Sequence, residues 1–142
     1  MRPICFKAKT KDENKWVLSP SIKDERTVKN GGVYLYLEDA VSDGSWVEID
    51  SETLCEFTGL YDSRGKMVFE NDVLSEANFY SGETSFCLIT FEDGAFFYVW
   101  LPLSGSKKKD YGYPIADFER GIITEYYTVE GNKFDNPEFL RR

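Results

Sequence analysis

Apolar and polar residues alternate along this chain in short runs, and no window of a dozen residues has a clear 3.6-residue period. The pattern predicts strands. Residues 4–8 alternate and form a first candidate strand. Residues 15–19 (KWVLS) return as its hairpin partner and stop at Pro20, which has no N–H to give a ladder. Asn30-Gly31-Gly32 marks a turn before the β-prone run VYLYL at 33–37. Asp43-Gly44 predicts another turn and 46–49 another strand. Residues 53–57, 66–69, 72–75 and 122–129 complete the set. Asp62-Ser63-Arg64-Gly65 suits a type I turn, with Asp capping it and Gly tolerating positive φ at its end.

The clearest hairpin is ETSFCLITF at 83–91, the turn Glu92-Asp93-Gly94, and AFFYVWL at 95–101. Its first arm alternates, with Phe86, Leu88 and Thr90 on one face and Cys87, Ile89 and Phe91 on the other. Its second arm is apolar throughout, which predicts burial on both faces or an interface. Near the end, Asn136-Pro137-Glu138 reads as N-cap, first helical residue and first-turn acid. A single helical turn there would carry Phe139 and Leu140 onto the core. The expected fold is mainly β: an N-terminal β segment over 1–50, a small β-barrel over 51–142, and a short C-terminal helical turn.

Composition narrows the class. The 142 residues are 42% hydrophobic and 30% charged, as in soluble globular proteins, and 16% aromatic, too many for a disordered chain. No apolar run approaches the roughly 18 residues of a membrane span. No basic segment followed by an apolar one opens the chain, so no secretory leader is expected. Lys and Arg number 17 against 25 Asp and Glu, a net charge of −8, which argues against broad binding to a phosphate backbone. The compact cationic run Lys107, Lys108, Lys109 reads as a solvated loop. With no histidine, a Ser-His-Asp triad, a Cys-His pair and a His-ligated zinc site are excluded within one chain. Cys5, Cys55 and Cys87 are odd in number and widely spaced, so free, mostly buried thiols in a reducing compartment are expected, and no cofactor or metal.

Three segments carry a family resemblance. Phe57-Thr58-Gly59-Leu60, Asp62, Gly65-Lys66 and Phe69-Glu70-Asn71-Asp72-Val73 form one. The run from Tyr127 through Gly131-Asn132 to Asn136-Pro137-Glu138-Phe139-Leu140 is another. Phe6-Lys7-Ala8 with Trp16-Val17 is the third. Together they resemble the signature of the YopX family. Asn71 stands where the family usually has Gly, and Glu130 where it has an apolar residue. The resemblance implies a bacteriophage or prophage setting, the bacterial cytoplasm, and a mainly β fold with an SH3-like barrel in the C-terminal part. It implies no activity.

The motif residues read first as structural. Glu70 and Asp72 are two apart on one side of a strand and invite a metal or acid–base reading, with Asp62 or Glu92 as further oxygen donors. Short acids entering a strand more often cap backbone N–H groups. Thr58-Gly59-Leu60 lacks the lysine and repeated glycines of a phosphate loop. Gly131, Asn132, Asn136 and Pro137 read as turn and cap chemistry. The leading expectation is a non-enzymatic accessory protein that binds itself or a host or phage protein. Val99, Trp100 and Leu101, or Tyr111 and Tyr113, would form the contact surface. The alternatives are a nucleic-acid-associated barrel or acidic DNA mimic, and a metal-dependent hydrolase.

Overall fold

In the computed structural model, residues 3–39, 42–77, 81–101, 112–114 and 125–141 are described. Twelve strands and two short 3-10 turns are present among them. The chain divides into two compact units, Met1–Phe57 and Thr58–Arg142. A division after residue 50 was expected; β6 (Cys55–Tyr61) runs across the boundary between the two units.

In the first unit, β1 (Phe6–Lys9) pairs antiparallel with β2 (Trp16–Ser19) and with the start of β6. β3 (Ile22–Asp24), β4 (Val33–Asp39) and β5 (Ser42–Ile49) form a second antiparallel sheet in that order. The chain beyond β1 meets β5 at the Thr10↔Ile49 bridge. Ala8, Val33, Leu35 and Ile49 are the buried centre, with Phe6, Val17, Ile22 and Leu54 packed on it. Alternation explains this: Leu35 faces in, and its neighbours Tyr34 and Tyr36 are half-exposed. Asp43-Gly44 is not the turn itself. β5 already begins at Ser42, and Gly44, at φ +88°, lies inside it.

In the second unit, the latter part of β6 is followed by β7 (Met67–Phe69). A five-stranded antiparallel sheet then runs β11-β10-β9-β8-β12. Its members are β8 (Asp72–Ala77), β9 (Thr84–Glu92), β10 (Ala95–Trp100), β11 (Gly112–Pro114) and β12 (Tyr127–Asn132). The expected hairpin is β9–β10, with register Phe96↔Phe91 and Val99↔Leu88. Asp93 and Gly94 both have positive φ, as a two-residue hairpin turn with the strands' own twist requires. Val68, Leu74, Cys87, Ile89, Tyr98 and Tyr127 form the core.

The fold is mainly β with several antiparallel sheets. The described strands do not close the barrel expected over 51–142. β12 pairs with β8 along one side only, and β6–β7 belongs to a different ladder. The C-terminal turn is 3-10, over Pro137–Arg141, and brings Phe139 to 5.1 Å from Phe86 between ring centroids.

Candidate functional site

The motif residues gather where β6, β7, β8 and β12 end. Thr58 donates its hydroxyl to the Val68 carbonyl at 2.7 Å and accepts from the Leu60 N–H at 3.2 Å. Gly59, at φ +87°, bends the strand between them. The Asp62 side chain is buried. Its Oδ1 accepts from Arg64 and Lys66 N–H at 2.9 and 2.8 Å, closing the type I turn, and its Oδ2 accepts from Val129 N–H on β12 at 2.9 Å. Burial works against the charged form, but the N–H groups of Val129, Lys66 and Arg64 and the Lys66 ammonium outweigh it and hold the carboxyl below its ordinary pKa.

Asp72 also caps backbone: its Oδ2 accepts from Phe69 N–H at 2.8 Å. Asn71 between Glu70 and Asp72 has φ +71°, donates its N–H to Ile89 and accepts from Lys133 N–H. Asn is among the few L-residues that enter this region readily, which explains how it replaces the family's glycine. Glu130, the other departure, lies at the bulge between Val129 and Gly131 and accepts from the exposed Ser75 hydroxyl. Among the described residues, no group of three His, Cys, Asp or Glu is placed to hold a metal ion.

The C-terminal motif is a knot of caps. Asn132 Oδ1 accepts from Phe134 and Asp135 N–H, both at 2.9 Å, and Asn136 Oδ1 accepts from Asn132 N–H at 3.2 Å. A Cβ on Gly131 would run into the Asn136 side chain, so the strand needs glycine there. Pro137 opens the 3-10 turn.

The thiols are free. Burial, with the Glu76 charge, pushes the Cys87 thiol far up, and burial also raises Cys5. Neither environment favours a thiolate nucleophile. Tyr127, beside Cys87, Glu76 and Tyr98, has its phenol pushed up chiefly by burial.

The anticipated contact surface is partly interior. Val99 is 1% exposed and Trp100 packs on the core, 5.8 Å from Tyr98 and 6.5 Å from Tyr127 between ring centroids. Leu101 is half-buried, with its N–H donated to Phe86. Tyr113 lies opposite Tyr98 in the β10–β11 register. Tyr111 and Lys107 to Lys109 lie outside the described residues. At the end of the same hairpin, Phe91 is 41% exposed and pairs with Phe96 at 4.9 Å.

The first unit holds further features outside the family motifs. A polar groove of about 410 Å³ lies between Thr10, Asn14, Arg26, Gly32 and Glu48, and the Lys11–Glu48 ion pair at 3.0 Å forms part of its rim. On the outward positions of β3, β4 and β5, Lys23 lies against the rings of Tyr34 and Trp46, and Tyr36 meets Trp46 edge-on. Alternation in VYLYL and SWVEI was the available signal.

A profile described as "YopX protein" matches residues 5–141. The chain belongs to the YopX family. Comparison with curated proteins gives no significant match. Among solved structures, the crystal structure of protein EF1440 from Enterococcus faecalis is similar, with a TM-score of 0.56 and 22% identity over 99% of each chain. At that identity the likeness is one of fold. Within this YopX chain, the polar and glycine positions of the motifs map onto the turn, cap and bulge positions just described, and Ala8, Phe57, Phe69 and Val73 are buried strand residues.

Proposed function

We propose that this YopX protein is a non-catalytic binding module of phage or prophage type. It acts in the bacterial cytoplasm by protein–protein contact, with itself and with a host or phage protein, and uses no cofactor. The observation that carries this reading is the Phe91–Phe96 pair at the end of the β9–β10 hairpin, exposed at Phe91 and followed by Glu92 and Asp93. An aromatic pair beside acids has the makeup of an interface centre with a polar rim. The groups that would do chemistry are otherwise engaged, since Asp62 and Asp72 hold backbone N–H groups and Cys87 is sealed in the core. Among the described residues, no helix is long and apolar enough to cross a membrane.

Sedimentation velocity over a concentration series tests the reading. Wild type is expected to sediment as an oligomer, and Phe91→Ser as a monomer with an unchanged thermal melt. A monomeric wild type, or a Phe91→Ser variant that still assembles, removes this surface. Trp100→Glu is expected to unfold the second unit instead, because Trp100 packs on the core.

A further inference from the structure

One face of the β1–β2 hairpin carries Lys7, Lys9, Trp16 and Leu18. The register sets Lys7 opposite Leu18 and Lys9 opposite Trp16, so the four side chains share a side. The alternate positions Phe6, Ala8 and Val17 go to the core of the first unit. Leu18 is 50% exposed. Lys7 and Lys9 Nζ are 5.0 and 5.4 Å from the Trp16 ring centroid, so both ammonium groups stand beside an apolar centre made by Trp16 and Leu18.

The two hairpins of the chain differ in charge. Residues 6–19 contain four Lys against Asp12 and Glu13, a net +2. Both acids lie in the turn, and the strands themselves contain none. Glu56 on the neighbouring β6 is opposite Phe6 and therefore on the other face. Residues 84–100, which form β9 and β10, contain Glu92 and Asp93 and no Lys or Arg, a net −2. Those two acids follow Phe91 directly, at the end where Phe91 and Phe96 meet at 4.9 Å.

We propose that the chain associates head to tail: the β9–β10 tip of one copy docks on the β1–β2 face of a second copy. The Phe91 ring sits on Trp16 and Leu18, and Glu92 and Asp93 meet Lys7 and Lys9. Charge selects this pairing. Two tips facing each other bring acids onto acids, and two β1–β2 faces bring lysines onto lysines, so neither surface suits a symmetric partner. Each copy carries one surface of each kind, which makes the contact heterologous and able to propagate into a ring or a filament. The inference rests on self-association through Phe91 and names the surface that receives it.

Sedimentation velocity of two full-length variants, alone and mixed, tests it. Phe91→Ser spoils the tip and Leu18→Glu spoils the face, each weakening assembly by about thirtyfold or more. Each variant alone is expected to be monomeric. An equimolar mixture is expected to give a dimer that grows no further, because the intact face of Phe91→Ser receives the intact tip of Leu18→Glu. Raising salt from about 0.05 to 0.5 M is expected to weaken wild-type assembly by about tenfold, as two exposed ion pairs are screened. Thermal melts equal to wild type certify each fold, and Leu18→Ser takes the place of Leu18→Glu if the latter melts early. A mixture that stays monomeric overturns the proposal, as does assembly indifferent to salt. Assembly of Leu18→Glu at wild-type strength with Phe91→Ser monomeric also overturns it: the tips then pair with each other, and self-association through Phe91 stands. A wild type that is monomeric at every concentration overturns both.

Discussion

The Asp62 carboxylate accepts a hydrogen bond from Val129 N–H at 2.9 Å, although 67 residues separate the two in sequence. Its other oxygen closes the Asp62–Gly65 turn through Arg64 and Lys66. Ser63 N–H adds a bond to the Tyr127 carbonyl. The turn thus covers the outer edge of β12, whose open N–H and C=O groups would otherwise offer a template for another strand. One motif residue shapes its own turn and fixes the last strand of the sheet.

Asp62→Ala leaves three N–H groups without that acceptor and is expected to cost about 3 kcal/mol or more in urea unfolding. Asp62→Asn keeps one oxygen but turns an N–H₂ toward donors, so about 2 kcal/mol is expected. The pH dependence has a definite sign. The folded pKa is depressed, so the stabilisation is fully present above the ordinary value of about 3.9 and is lost as pH falls through the folded value. The stability gap between wild type and Asp62→Asn should narrow in acid. A gap that widens there would refute the charged-acceptor role.

Two glycines of the motifs separate strain from space. Gly65 has φ +81° and open room for a Cβ, so Gly65→Ala is expected to cost about 1 kcal/mol, from backbone conformation alone. At Gly131 the obstacle is the Asn136 side chain. Gly131→Ala therefore displaces the cap on Asn132 N–H and is expected to cost about 2–3 kcal/mol. Chemical unfolding of both variants checks the order; the reverse order would contradict it.

Local chemistry made some of this legible in the sequence. Asp93-Gly94 between two β-prone runs announced the β9–β10 hairpin, and Asp62 with Gly65 announced its turn, because each depends on residues close in sequence. Asn136-Pro137 announced the turn that places Phe139 on Phe86. The pairing of β8 with β12 was not legible, since Leu74 and Val129 carry no local sign of each other. For the same reason Asp62 could be read as a cap but not as the acceptor for Val129. Val99 and Trp100 looked like an interface because an apolar strand reads alike whether its second face meets the core or a partner. The Lys23–Trp46 contact joins strands β3 and β5 across β4, and periodicity within one strand cannot report it.

The three thiols should separate by reactivity. Cys5 is half-buried, whereas Cys55 and Cys87 are buried. Titration of the native protein with a thiol-reactive disulfide is expected to modify Cys5 first, more slowly than a free thiol because burial raises its pKa. Cys55 and Cys87 should react only as the structure opens, and all three at once in denaturant. Rapid native labelling of Cys87 would contradict its place in the core.

Thr90 gives the sharpest stability test, because its hydroxyl is buried with no hydrogen-bond partner among the described residues. It lies in the second half of β9, opposite Phe97, and is 3% exposed. A hydroxyl removed from water without a replacement bond carries a desolvation cost of about 1–3 kcal/mol. Valine keeps the branched shape and β preference while replacing that oxygen with a methyl group. Thr90→Val is therefore expected to stabilise the protein by about 1 kcal/mol and raise Tm by about 3 °C. Thr90→Ser keeps the hydroxyl and removes the methyl, so it should destabilise by a similar amount through lost packing. If Thr90→Val melted lower than wild type, the hydroxyl would have to be satisfied in solution, by a buried water held in the core.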